Sequence, residues 1–400
     1  MAQQGNNYYV RCPVAVPSIC LTSTHGTSGG LMKYLNKLAA VLCTCALAFG
    51  AFTATSNISK AEGTGSLQGD GKKMVMFVMT ASNVYGANQI RGAKEEAVRL
   101  GYDLTVFQHN FSQPEQDQQV QQYIASGAQP EVVIFWPWVA DAAINAVRQL
   151  ARIAPVIQLT QEPNEQSWPY VKAYSGANQI LIGETLGQTM LKAREAAKAA
   201  GMQFKSPGGN LLVFQHPEGE KTGVERMKGF LAVTAKEPFN IIHTEWGTNS
   251  PETGYQVGSQ VVPKYKGQID FLFISNQQAA NGVIRALKEN GITPGKDVYI
   301  VSGDCSGSLE AVKNGETFGT GIQPAAVEGA LAVRTAAKYA AHGRIEGDII
   351  QLVVEAEAPT IENTPPAKYN YMPHAPAIGA DGVANTKIWG DSADEICAAG

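Results

Sequence analysis

The side chains with the most to offer chemically stand just after short apolar runs. Asn83 and Tyr85 follow the run 74–79, Trp138 follows 131–136, and Gln161 follows 155–160. In the second half of the chain, Arg226 lies in the segment after 210–215, Asn276 follows 270–274, Asp304 follows 297–302, and Gln323 follows 317–322. Asn, Gln, Asp and Arg end in planar forks that can make two parallel hydrogen bonds. Tyr and Trp add flat apolar faces with one polar edge. Forks and platforms of this kind suit the grip of a small polar molecule. Reaction chemistry finds less support. The histidines, at 25, 109, 216, 243, 342 and 374, show no ligand spacing, so no metal site is expected. Gly63-Thr64-Gly65 precedes an apolar run instead of following one, so it does not read as a dinucleotide loop. No Gly-x-Ser-x-Gly elbow is present, and no catalytic residue or cofactor is assigned.

Each candidate also has a plainer reading. Arg226 could be a solvated charge, Asp304 a cap near Ser308, Asn276 a cap for 279–290, and Gln323 a hinge residue only. Tyr85 could pack a loop, Trp136 suits a core as well as a site, and Trp168 reads as loop packing.

The elements that must carry these residues alternate in period. Strand-like runs at 74–79, 103–107, 131–136 and 155–160 enclose amphipathic segments at 88–100, 114–126 and 140–150. The alternation restarts with a helix at 182–200. Strands at 210–215, 239–246, 270–274, 297–302 and 317–322 then enclose helices at 222–235, 252–265, 279–290 and 308–314. A long helix at 325–342 and a strand at 349–355 close the regular part, and a Pro-, Ala- and Asn-rich tail follows. Serial βαβ units predict parallel sheets with helices on both faces. Ligands bind such sheets beyond the carboxyl ends of the strands, where the candidate residues stand. Two facing lobes would make a cleft lined from both sides.

The N-terminal region predicts export. Lys33 and Lys37 precede an apolar run from Leu38 to Phe52, and Ser59-Lys60-Ala61 offers a small-residue cleavage site after Ala61. Residues 32–61 read as a signal peptide with a membrane anchor as the alternative, and 1–31 as a mis-called or disordered extension. About 340 residues remain after cleavage, enough for two domains. Of the six cysteines only Cys305 and Cys397 then survive, and an oxidising compartment would allow them to pair. A net charge of −4 indicates neither nucleic acid nor an anionic membrane surface as partner.

Six short motifs, in order, resemble the type I periplasmic binding proteins of the sugar-binding, ribose/galactose-like group. Asn83-Val84-Tyr85 followed by Arg91-Gly92-Ala93 is similar to that family's Asn-Pro-aromatic-aromatic opening and its Gly-Ala helix. Tyr174-Ser175-Gly176-Ala177-Asn178 resembles the crossover motif, and Arg226…Gly229-Phe230 the Arg-x-x-Gly-Phe motif. Asn276-Gln277 stands where Asn-Asp is usual, Gly303-Asp304 where Phe-Asp is usual, and Gln323-Pro324 at the later Gln-x-Pro. Val84 replaces the usual Pro, Gly86 one stacking aromatic, Thr160-Gln161 an Asp-Arg pair, and Gln277 an acidic residue.

The resemblance implies an α/β fold of two Rossmann-like, doubly wound lobes joined by a multi-crossover hinge, with 73–175 plus 323–351 in the first lobe and 176–322 plus 352–400 in the second. It implies a monomer in the periplasm that captures a monosaccharide or polyol by lobe closure and hands it to an ABC permease. A sensory co-receptor is the alternative, and an α/β enzyme a remote one. Asn83, Tyr85, Trp138, Gln161, Arg226, Asn276, Asp304 and Gln323 would bind the ligand, Arg226 and Asp304 holding each other in orientation. On this reading, removing either weakens binding while the empty protein keeps its melting point.

Overall fold

The computed structural model describes residues 67–345, 368–372, 376–388 and 391–397. The extension 1–31, the signal 32–61 and the strand expected at 349–355 lie outside the described residues. The first lobe runs β1 (Lys73–Met79), α1 (Val84–Arg99), β2 (Asp103–His109), α2 (Gln113–Ala125), β3 (Val132–Phe135), α3 (Ile144–Leu150), β4 (Val156–Leu159) and β5 (Val171–Gly176). The second runs α4 (Gln179–Ala199), β6 (Asn210–Phe214), α5 (Lys221–Thr234), β7 (Asn240–Glu245), α6 (Pro251–Val261), β8 (Phe271–Ile274), α7 (Gln277–Glu289), β9 (Tyr299–Ser302), α8 (Glu310–Lys313) and β10 (Gly319–Thr320). Helix α9 (Ala325–His342) returns to pack on α1, and β11 (Tyr369–Tyr371) follows. A hairpin of β12 (Lys387–Ile388) and β13 (Asp391–Ser392) lies between short helices α10 (Ala380–Asn385) and α11 (Ala393–Cys397).

Both main sheets are parallel. Their strand orders are β11-β5-β4-β3-β1-β2 and β10-β9-β8-β6-β7. Each sheet is buried on both faces, as its near-continuous apolar strands require. In β1, Met74, Met76 and Val78 enter one core and Val75 and Phe77 the other. In β8, Phe271 and Phe273 face one core, Leu272 and Ile274 the opposite one. This two-residue alternation is the strand period made visible.

Two features depart from the sequence reading. The sequence predicts no strand between 160 and 182 and only a crossover-like motif at 174–178, yet 171–176 form β5, with Tyr174 and Ser175 fully buried. The tail also divides between the lobes. β11 adds to the free edge of β5, so the expectation that everything from 352 onward accompanies the second lobe fails there. Farther on, Ile378 bridges to Thr320 and Cys397 is disulfide-bonded to Cys305, both in the second lobe. The chain therefore passes between lobes after β5, before α9 and again between Tyr371 and Ile378.

Candidate functional site

The carboxyl ends of the two sheets face each other across a narrow cavity. The first lobe lines it with Met79, Tyr85, Phe111, Trp136 and Trp138, plus Asn83 and Thr160. The aromatic rings brace one another: Tyr85 meets Trp136 edge-on at 5.9 Å between centroids, and Phe111 meets Trp138 at 5.3 Å. Asn83 caps α1, accepting from Tyr85 N at 2.9 Å, so the helix begins earlier than its apolar period suggests. The free end of the Asn83 amide crosses the cleft and donates to Asn249 O at 3.1 Å.

The second lobe contributes the polar wall. Arg226 is 1% exposed, a large cation in the interior that must be paired. Its Nε donates to Gln179 Oε1 at 2.9 Å and its Nη1 to Asp304 Oδ2 at 3.2 Å. Further bonds go to Ser275 O and Gln323 Oε1. The local sequence explains this placement. A Cβ on Gly229 would lie 2.0 Å from Ile180 O, so glycine lets α5 seat directly on α4, while Phe230 is buried in the core. A Cβ on Gly303 would stand 1.8 Å from Ser275 O and 2.7 Å from Arg226 Nη1; only glycine leaves room for the guanidinium there.

Asp304 turns its other oxygen back to Ser306, accepting from its backbone N at 3.0 Å and from its hydroxyl. It is a local turn residue and not a cap, because Leu309 holds the N-cap position of α8. Asn276 does cap α7, accepting from Ala279 N at 2.7 Å and donating to Thr248 O at 3.3 Å. Seven of the eight sequence candidates thus line the cavity: Asn83, Tyr85, Trp138, Arg226, Asn276, Asp304 and Gln323.

Gln161 is not among the lining residues. It lies behind the wall, donating to Trp138 O at 2.9 Å and accepting from Lys221 N of the second lobe at 3.4 Å. Trp168 packs on Tyr369 outside the cavity. Trp136 is both core and wall.

Sequence reasoning missed several contributors. His216, Glu220, Thr222, Asn249, Gln278 and Ser306 line the cavity from the second lobe. His216 and Gln278 do stand next to strand ends, which was the available signal. Three groups among the lining residues are buried and make no hydrogen bond within the protein: Trp136 Nε1, His216 Nε2 and Thr222 Oγ1. Burial holds the His216 imidazole below its ordinary pKa, which favours the neutral ring with one donor and one acceptor.

Behind Tyr85 lies Glu328, fully buried in α9 and also missed. Its Oε2 accepts from Tyr85 Oη at 2.6 Å, Gln89 Nε2 at 2.8 Å and Thr160 Oγ1 at 3.0 Å. Thr160 has a φ of +65°, a left-handed conformation that a β-branched residue rarely adopts. The sequence signal for Glu328 was a single carboxylate within Ala325–Val333, otherwise wholly small and apolar.

Comparison with known proteins places this geometry. Residues 74–344 match the family model described as a periplasmic binding protein domain. The ribose import binding protein RbsB of Salmonella typhimurium is 27% identical over 269 residues, covering 66% of this chain and 83% of that protein. The periplasmic ribose ABC transporter structure from Conexibacter woesei superposes with a TM-score of 0.60 at 20% identity, covering 82% of this chain and 98% of that one. An ABC transporter solute-binding protein of Bacillus halodurans with bound myo-inositol gives 0.61 at 18% identity, covering 78% and 96%. Two parallel-sheet lobes, a cleft at their strand ends and a family match spanning both lobes lead to one conclusion: the chain belongs to the periplasmic binding protein family.

Proposed function

We propose that this protein captures a neutral monosaccharide or polyol outside the cytoplasm and delivers it, as a monomer, to an ABC permease. The observation that carries this reading is the trio Trp136 Nε1, His216 Nε2 and Thr222 Oγ1, buried in the cavity wall with no partner in the protein. Buried polar groups require partners, and a molecule with several hydroxyls carries both the donors and the acceptors that such groups lack. The aromatic wall opposite suits the apolar C–H face of such a molecule. Charge argues for a neutral ligand: Arg226 is paired with Asp304, and Glu220 adds a second carboxylate to the wall. The ribose-import relative and the neighbour holding myo-inositol support the same class. Export is supported by the 32–61 segment and by a disulfide that suits an oxidising compartment. Capture of this kind uses no cofactor.

The test is a thermal-shift screen of the chain from Glu62 onward against D-ribose, L-arabinose, D-galactose, xylitol and myo-inositol. Ligand at a hundred times Kd stabilises by about 2.7 kcal/mol, which raises Tm by several degrees. One compound should do so, bind one-to-one by calorimetry and shrink the radius of gyration as the lobes close. A flat response to the whole panel would overturn the ligand class. Deleting the gene should abolish uptake of the same compound; intact uptake with lost chemotaxis would favour the sensory role.

A further inference from the structure

The geometry points to Glu328 as a positioning residue: its carboxylate sets the donor–acceptor direction of a hydrogen-bond chain that runs through Tyr85 and Gln323 to Arg226 in the opposite lobe.

The order of donors follows from chemistry. An ionised carboxylate only accepts. Tyr85 Oη, 2.6 Å from Glu328 Oε2, must therefore donate to it and is left to accept. It accepts from Gln323 Nε2 at 2.8 Å, and the same Nε2 lies 3.3 Å from Glu328 Oε1. With its nitrogen so engaged, Gln323 turns its oxygen to the second lobe, where Arg226 Nη2 and Gln179 Nε2 both donate to it. Arg226 closes the ring by donating to Gln179 Oε1. If Glu328 becomes a donor, Tyr85 can be driven to donate to Gln323. The amide must then flip and set its NH₂ against two other donors. Glu328 touches no ligand space itself, whereas Tyr85, Gln323 and Arg226 all line the cavity.

The chain's surroundings make it sensitive to protons. Tyr85 from α1 and Tyr174 from β5 are the titratable groups facing Glu328, and burial raises both above the usual phenol range. Arg226 and Asp304 stand one step farther along. Within one turn on its own helix, Glu328 has no titratable neighbour. Burial without an adjacent cation also raises the Glu328 carboxyl above its usual range, despite four neutral donors that pull the other way.

The test uses the exported chain labelled with ¹³C and ¹⁵N, with no sugar added, so that its outcome is independent of the proposed function. The Glu328 Cδ and Arg226 Nε–Hε signals are followed from about pH 4 to 9. Both should move with one shared midpoint, above the ordinary carboxylate range. Glu328→Gln should erase that step at Arg226 while the remaining signals stay dispersed. Tyr85→Phe should leave Glu328 titrating and shrink the step at Arg226 to what the direct contact of Gln323 Nε2 with Glu328 Oε1, at 3.3 Å, passes on. An Arg226 signal that ignores the Glu328 midpoint, or that keeps its step in E328Q, overturns the assignment, as does a Glu328 carboxyl with no step in this range. A second arm uses whichever panel compound raises Tm: E328Q should bind it at least about tenfold more weakly at pH 7. Failure of the whole panel would refute the ligand class and leave the NMR result standing.

Discussion

The two walls of the cleft are built on different principles. The first-lobe wall is aromatic and rests on ring packing: Trp136 and Trp138 belong to the same apolar core as Tyr85 and Met79. The second-lobe wall is polar and rests on a buried ion pair, with Asp304 beside a disulfide at Cys305. An apolar wall tolerates a ligand in several rotations, because ring contact is weakly directional. A wall of fixed forks does not, since each hydrogen bond demands an angle. Selectivity among similar solutes should therefore lie mainly in the second lobe, and the first should supply contact area.

The sharpest way to break this contrast is Arg226→Ala. The guanidinium serves Gln179, Ser275, Asp304 and Gln323 at once, so its loss strands several buried groups. Breaking a buried pair in this way costs about 3–5 kcal/mol. The empty protein should lose that much in denaturant melts, and sugar binding should vanish with it. This corrects the expectation that the melting point would barely move: the pair is part of the fold as well as the site.

Reduction of Cys305–Cys397 comes next. The bond closes a sequence separation of 92 residues, and losing such a disulfide typically costs about 2–4 kcal/mol, below the ~4.6 kcal/mol that chain entropy alone would give. Melting with and without dithiothreitol should show a fall confined to the second lobe. Equal loss of protection in both lobes by hydrogen exchange would mean that the disulfide is not a local anchor.

His109 probes the aromatic side. It lies behind Trp138 at 5.8 Å between rings, and burial lowers its pKa from 6.5 to about 4. The folded state thus takes up its proton later than the unfolded one. His109 should add stability above about pH 6.5 that is lost as pH falls toward about 4. Urea midpoints across that window should decline in the wild type and decline less in His109→Phe. An identical slope in both would show that His109 does not set it.

The smallest effect is expected at Thr222. Its Oγ1 is buried without a partner, so Thr222→Val should leave the empty protein as stable as before, or slightly more so. Affinity for the captured solute should fall by about 1 kcal/mol, near fivefold, by calorimetry. Unchanged affinity would remove Thr222 from the proposed contacts.

Much of this architecture was legible in the sequence. The βαβ rhythm and the residues after each strand reflect periodicity and parallel-sheet burial, both local properties. Arg226, Gly229 and Phe230 were read together through their resemblance to the Arg-x-x-Gly-Phe motif, and the structure supplies the reason for the glycine: α5 seats directly on α4 there. What stayed hidden depends on long-range pairing. β11 is a short strand whose partner lies far away in the chain: Tyr369 pairs with Tyr174. Glu328 looks like an odd charge on an apolar helix until Tyr85 and Thr160 arrive from elsewhere. Gln161 was misplaced because standing next to a strand end does not say which way a side chain turns.

The three residues of β11 have a consequence for handling the protein. Without them the first sheet would end at β5, whose Val171–Gly176 backbone would present an open row of donors and acceptors above mostly buried side chains. Such a row invites another chain to add a strand. A truncation before Lys368, chosen to tidy the tail, should therefore yield a protein that still contains its cavity but self-associates. Light scattering of the shortened chain at increasing concentration, with Cys305→Ser to remove the thiol that loses its Cys397 partner, would show whether the open edge self-associates.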